Sequence, residues 1–85
     1  MDCYSVRVLA SAEKELRHVP KPQLKRLAAR LRGLAGNPRP HGSEKLSGED
    51  RHRIRHGDWR IVYSIDDGKK EVVVVRIGHR REIYR

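Results

Sequence analysis

Hydrophobic and polar positions recur along this chain with periods that change from two to about three and a half, then back to two. Tyr4, Val6 and Val8 stand at one parity and Ser5, Arg7 and Leu9 at the other, so Tyr4–Leu9 reads as a first strand. Ser11 offers an N-cap for a helix that follows, with Glu13 and Glu15 in its first turn, where the helix dipole favours carboxylates. Pro20 stops that helix near His18, and Pro22 suits the first turn of a second one. Leu24, Leu27, Ala28, Leu31 and Leu34 then form one apolar stripe at helical spacing, with Lys25, Arg26, Arg30 and Arg32 largely off it. Gly33 and Gly36 weaken and end the helix.

Asn37–Asp50 is rich in Pro, Gly and Ser and reads as a loop, with Leu46 expected to anchor it in the core. Period two returns in Arg51–Tyr63, RHRIRHGDWRIVY, a β-hairpin whose Gly57-Asp58 turn has glycine first, the type II′ signal. That register sets His56 opposite Trp59, Arg55 opposite Arg60, Ile54 opposite Ile61 and Arg53 opposite Val62. One face carries Ile54, Trp59, Ile61 and Tyr63 and wants burial; this parity favours core packing of Trp59 and Tyr63 over base stacking. The other face gathers Arg53, Arg55 and Arg60. Like charges directly opposite each other destabilise a sheet, so this cluster implies an anion, with phosphate the first candidate. His52 and His56 share the buried parity, while His18 and His41 read as surface residues.

Asp66-Asp67-Gly68 turns the chain again, and Glu71–Gly78 holds four consecutive valines. Apolar residues at both parities predict a strand covered on both faces and central in its sheet. The expected fold is α+β in the order β-α-α-β-β-β, a small antiparallel sheet with an αα-hairpin on one face and the arginines on the other. The two helices also match a helix-turn-helix outline, but a first helix of barely two turns and a proline-pinned bend favour a plain αα-hairpin packed on a sheet. No composition shift divides the chain, so residues 1–85 make one domain.

Composition sharpens this in two ways. With 36% apolar residues, no Phe and a mean hydropathy of −0.82, the core is modest; a domain this small buries only about 60% of its unfolded surface. A net charge of +9 and a pI near 10.5 point to nucleic acid first and an acidic protein second. The charge is uneven, since seven Lys/Arg and no acid lie between Glu15 and Glu44. The single cysteine, Cys3, excludes an internal disulfide and a cysteine-based zinc site, which suits a reducing cytosol. No apolar run approaches the ~18 residues of a membrane span and no signal-peptide core is visible, so a soluble, cytoplasmic chain is expected. No carboxylate cage for a metal is evident either, and neither metal nor cofactor is expected.

Three blocks, KLSG (Lys45–Gly48), RIRHGDWRIVY (Arg53–Tyr63) and IGHRREIY (Ile77–Tyr84), together with the element order, resemble the RelE/ParE superfamily of toxins from type II toxin–antitoxin pairs. The first two blocks resemble both branches. The last is more similar to the RelE branch, whose members are ribosome-dependent mRNA endonucleases; ParE-like members poison DNA gyrase. The RelE resemblance implies that Arg53 and Arg55 face the scissile phosphate and that Arg60 holds it. It further implies that Arg80 stabilises the transition state or protonates the leaving oxygen, and that Tyr84 stacks on or orients a base. The implied reaction is attack of the ribose 2′-OH on the adjacent phosphate, leaving a 2′,3′-cyclic phosphate and a 5′-hydroxyl.

Elementary chemistry agrees with that division of labour. Phosphoryl transfer is catalysed by positioning and by neutralising charge on the phosphate oxygens, and a guanidinium holds two such oxygens while staying charged. Arginine stands at positions 53 and 55 where the best-known members carry lysine, and it does not readily act as a base. His79, beside Arg80, is the histidine best suited to acid–base work, with a strand-end structural role as its alternative. The basic side of the second helix, Lys25, Arg26 and Arg30, is expected to meet RNA or the ribosome. A cognate antitoxin, with an acidic segment wrapping the basic surface, is the implied partner. A gyrase poison and a catalytically silent nucleic-acid-binding module are the competing readings.

Overall fold

The computed structural model describes residues 3–46 and 51–79 of the chain. Its elements are β1 (Ser5–Val8), α1 (Ala10–Leu16), α2 (Lys21–Gly36), β2 (Glu44–Lys45), β3 (Arg51–His56), β4 (Trp59–Asp66) and β5 (Glu71–His79). The five strands form one sheet in the order β1-β5-β4-β3-β2. β2–β3, β3–β4 and β4–β5 pair antiparallel, whereas β1 runs parallel to β5. The architecture is thus α+β in the expected order, with a mixed sheet and one more strand than the pattern suggested. Two residues of strand are too few to display a period, which is why β2 reads as loop.

The core forms where the stripe of α2 meets one sheet face. Leu27, Leu31 and Leu34 of α2, with Ala12 of α1 and Val19 of the bend, pack on Ile54, Ile61, Tyr63, Val72, Val74 and Ile77. Tyr63 is fully buried, and its hydroxyl donates to the Pro38 carbonyl at 2.7 Å, which fastens the α2–β2 loop beneath the sheet. Burial pushes the Tyr63 phenol above its ordinary pKa. Leu46, expected in the core, is only half-buried; its amide instead donates to the Arg51 carbonyl at 2.8 Å beside the β2–β3 pair.

The valine run of β5 has a different cause from the one its pattern implied. Val62 pairs with Arg76 but Tyr63 with Val74, so Val75 is an extra residue in the ladder. This bulge resets the parity of the strand. Val72 and Val74 before it and Ile77 after it then all point into the same core, while Val73 and Val75 are half-buried. β5 is an interior strand whose helix cover lies on one face.

α1 begins at Ala10 after Leu9, with no side-chain cap, so Ser11 lies inside its first turn rather than ahead of it. The Leu9 amide donates to the Val74 carbonyl at 3.0 Å, and the chain turns into the helix directly from that sheet bond. Pro22 lies in the first turn of α2, which ends at Gly36. Gly57 has φ +59, the left-handed value that a type II′ turn needs at its first position. Among the described residues no helix is long and apolar enough to cross a membrane.

Candidate functional site

The β3–β4 register is the expected one. Arg55 pairs with Arg60, Arg53 with Val62, Ile54 with Ile61 and His56 with Trp59. Because side chains alternate across a strand, Arg53, Arg55 and Arg60 share the face opposite the helices. Arg76 joins them, paired with Val62 from the β5 side, and Glu44 enters from β2 opposite Arg53.

The three hairpin arginines are held differently. Arg53 is half-buried, with its guanidinium on the carboxylate of Glu44. Arg60 is only 6% exposed, and its Nη1 donates to the carbonyls of Gly57 at 2.9 Å and Trp59 at 3.0 Å. Those bonds fix the guanidinium against the hairpin turn, a rigid cation built into the tip. Arg55 is exposed, the most accessible of the three. Its carbonyl accepts a long bond, 3.5 Å, from Arg30 of α2, so the basic side of that helix approaches the hairpin.

Other expected residues fall elsewhere. His79 pairs with Trp59, and so lies on the helix face, away from Arg55 and Arg60. Its ring meets Trp59 edge-on at 5.7 Å, and its Nε2 is 4.0 Å from Asp58 Oδ2. Arg26 lies beside a cleft at the hairpin tip, and Lys25 is exposed on α2. Arg80 and Tyr84, and Ser47 and Gly48 of KLSG, lie outside the described residues. Trp59 and Tyr63 belong to the helix face, Tyr63 fully and Trp59 partly buried.

Sequence reasoning missed Glu44, Arg76 and Glu15. β1 stops pairing at Val74, and α1 takes its place along the remaining edge of β5. There Glu15 Oε1 accepts from the Ile77 amide at 3.3 Å and stands 3.9 Å from Arg76 Nε. A helix carboxylate that completes a strand edge leaves no local signal in the sequence, since its partner is 62 residues away.

The shifted ionisable groups cluster at the opposite end of β4. Asp67 accepts from Arg39 at 3.2 and 2.9 Å and from the Tyr4 hydroxyl at 2.6 Å. These bonds, the Arg39 pair foremost, hold its carboxyl at about 2. The same contact with Asp67 raises Tyr4 and Arg39. This triad clips the start of β1 and the α2–β2 loop to the β4–β5 turn, a structural rather than reactive arrangement. Among the described residues no cluster of His, Cys, Asp and Glu is arranged to hold a metal ion.

The family model described as ParE toxin of type II toxin–antitoxin system matches residues 6–84. Toxin RelE of Mycobacterium tuberculosis is 33% identical over 84 residues, covering 96% of this chain and 87% of the relative. Toxin RelG of the same organism is also 33% identical, covering 96% and 97%. Among solved structures, the RelE–RelB complex of Pyrococcus horikoshii superposes with a TM-score of 0.84 at 27% identity, covering 96% of this chain and 99% of that one.

Proposed function

This chain belongs to the RelE/ParE superfamily and is a RelE-like toxin of a type II toxin–antitoxin system; on that premise we propose that it is a ribosome-dependent mRNA endonuclease. The observation that carries this reading is the direct pairing of Arg55 with Arg60 on a sheet face that also holds Arg53 and Arg76. Two cations opposed on adjacent strands are favourable when an anion lies between them. A backbone phosphate supplies that anion, and the ribosome supplies the mRNA in an extended, single-stranded form.

The reaction is a displacement at phosphorus. The ribose 2′-oxygen bonds to the adjacent phosphorus, the bond to the 5′-oxygen breaks, and the products carry a 2′,3′-cyclic phosphate and a 5′-hydroxyl. The 2′-OH gives up one proton and the leaving oxygen takes one up. In this reading Arg55 grips the phosphate oxygens from the accessible side. Arg60, fixed by its bonds to the turn carbonyls, supplies a preorganised positive field that costs no reorganisation during the reaction. Arg53 contributes from two residue pairs further along the same face, its charge tempered by Glu44.

Arg80 and Tyr84 follow the described strand and are proposed, on resemblance, to finish the site. Since His79 lies on the other side of the sheet, we assign proton transfer to groups of that tail, of the substrate or of the ribosome rather than to His79.

Antitoxin partners are present in the solved complexes of relatives, such as RelE–RelB of Pyrococcus horikoshii. The corresponding partner here is proposed to lay an acidic segment over the arginines, which matches the +9 charge. The ParE name of the matching family model supports a second reading, inhibition of DNA gyrase by protein contact.

The discriminating experiment adds purified chain to ribosomes translating a defined mRNA. Cleavage within codons, lost in Arg55→Ala, is the expected result. Intact mRNA in that assay, with gyrase-dependent DNA breaks in a parallel one, selects the second reading.

A further inference from the structure

The helix face of the hairpin tip holds a cleft that the reaction just described does not use. It opens between the bend of the αα-hairpin and the β3–β4 turn, in two adjoining lobes that share Trp59 and His79 as a common wall. One lobe, of about 510 Å³, is bounded by Glu15 and His18 and floored by Ile77 and Gly78. The other, of about 380 Å³, lies between Gln23 and Arg26 of α2 and His56 and Asp58 of the hairpin.

We infer that this cleft is a nucleobase subsite, which takes a base of the same RNA whose phosphate meets the arginine face. The inference rests on the endonuclease reading above. Three features fit a base better than other ligands. Trp59 is half-buried and its ring is held edge-on by His79 at 5.7 Å, a braced aromatic surface of the kind on which unstacked bases settle. The polar groups around it include the Gln23 amide and the His56 imidazole, which suit the mixed donor and acceptor edge of a base.

Charge supplies the third feature. Among the acidic side chains and Lys/Arg that line the two lobes, Glu15 and Asp58 stand against Arg26 alone, although the chain as a whole carries +9. Phosphate and acidic peptide are therefore drawn to the arginine face, and a neutral heterocycle to the cleft. The two places are neighbours: the His56–Trp59 pair directly adjoins the Arg55–Arg60 pair at the end of the hairpin, with side chains on opposite faces of the sheet. A strand of RNA bent around that tip leaves a phosphate on one side and a base on the other.

The test pairs an altered substrate with altered protein. Translating ribosomes present an mRNA carrying one abasic nucleotide, moved in turn through the positions flanking the cut. For the full-length wild-type toxin, an abasic nucleotide at one position is expected to slow cleavage by about tenfold or more, the scale of a lost base–aromatic stack. Trp59→Leu is expected to cleave the intact mRNA slower by a similar factor and to show no further loss at that abasic position, since the two changes remove one contact. Equal abasic penalties in wild type and variant overturn the cleft.

Should circular dichroism show Trp59→Leu to be unfolded, Gln23→Ala decides, because Gln23 is exposed on α2. It is expected to flatten base preference at that same position about threefold or more and at no other; an unaltered preference profile overturns the cleft. Loss of antitoxin binding by Gln23→Ala with an unaltered base profile also overturns it and assigns the surface to a protein partner. Failure of wild-type toxin to cut intact mRNA is a different result, since it removes the endonuclease reading itself.

Discussion

The two faces of the β3–β4 hairpin are made from alternate residues of the same thirteen-residue stretch, Arg51–Tyr63, yet they solve opposite problems. On the helix face Ile54, Ile61 and Tyr63 are closed off, and the Tyr63 hydroxyl finds a carbonyl within the chain. On the other, Arg55 and Arg60 stand opposed and Arg53 is matched by Glu44 from a short edge strand. Folding stability comes from the first face. The second holds like charges together, and in the proposed reading an anionic ligand offsets them. The lesson is that one strand period can set Ile54, Ile61 and Tyr63 apart from Arg53, Arg55 and Arg60, so that mutations in the two sets report different quantities.

The strongest break of that separation is a cavity under the hairpin. Leu27→Ala removes a fully buried side chain from α2 and should cost ~2–5 kcal/mol of stability in chemical denaturation. Cleavage per folded molecule should stay unchanged. Arg55→Ala should do the reverse: ~10²–10³-fold slower cleavage in single-turnover kinetics, with stability altered by no more than about 0.5 kcal/mol. A smaller effect is expected from Tyr63→Phe, which strands the Pro38 carbonyl and should lower stability by about 1–2 kcal/mol without touching activity.

Weaker still, Glu44→Gln lifts a negative charge from the arginine face. It should change stability by less than about 1 kcal/mol and tighten RNA binding, read by fluorescence anisotropy, by no more than a few-fold. The least effect belongs to the distant clip. Asp67 sits at about 2 in the folded chain against an ordinary 3.8, so its contribution is complete above pH 3.8 and disappears as pH falls toward 2. Asp67→Asn should therefore make the acid limb of the stability curve shallower in that window and leave neutral-pH cleavage alone.

Much of this was legible in the residue pattern, for identifiable reasons. The hairpin register follows from glycine at the first turn position and strict alternation on both sides of it. The α2 stripe follows from leucines at helical spacing. What escaped involved long-range or very short features. The parallel pairing of β1 with β5 joins residues some 66 positions apart, as in Ser5 with Glu71, and strand polarity leaves no trace in periodicity. The bulge at Val75 disguised a one-faced strand as a two-faced one, because shifting parity midway places apolar residues at both. Ser11 looked like a cap, but the chain turns into the helix from the backbone bond of Leu9 to Val74, and the cap position falls two residues earlier, at Leu9. In the site, the arginines were visible through alternation, whereas the carboxylates of Glu44 and Glu15 that manage them come from other elements. His79 looked like a neighbour of the arginines because it precedes Arg80, and its pairing with Trp59 assigns it to the opposite face.

The central claim, that opposed arginines on one sheet face cut a messenger RNA backbone, is tested most directly by mapping RNA 5′ ends in cells after induction of the toxin. Wild type should generate new 5′-hydroxyl ends within translated reading frames, and Arg55→Ala, at equal levels of folded protein, should generate them ~10²–10³-fold more slowly. Growth arrest with intact messages, or undiminished cutting by Arg55→Ala, would contradict it.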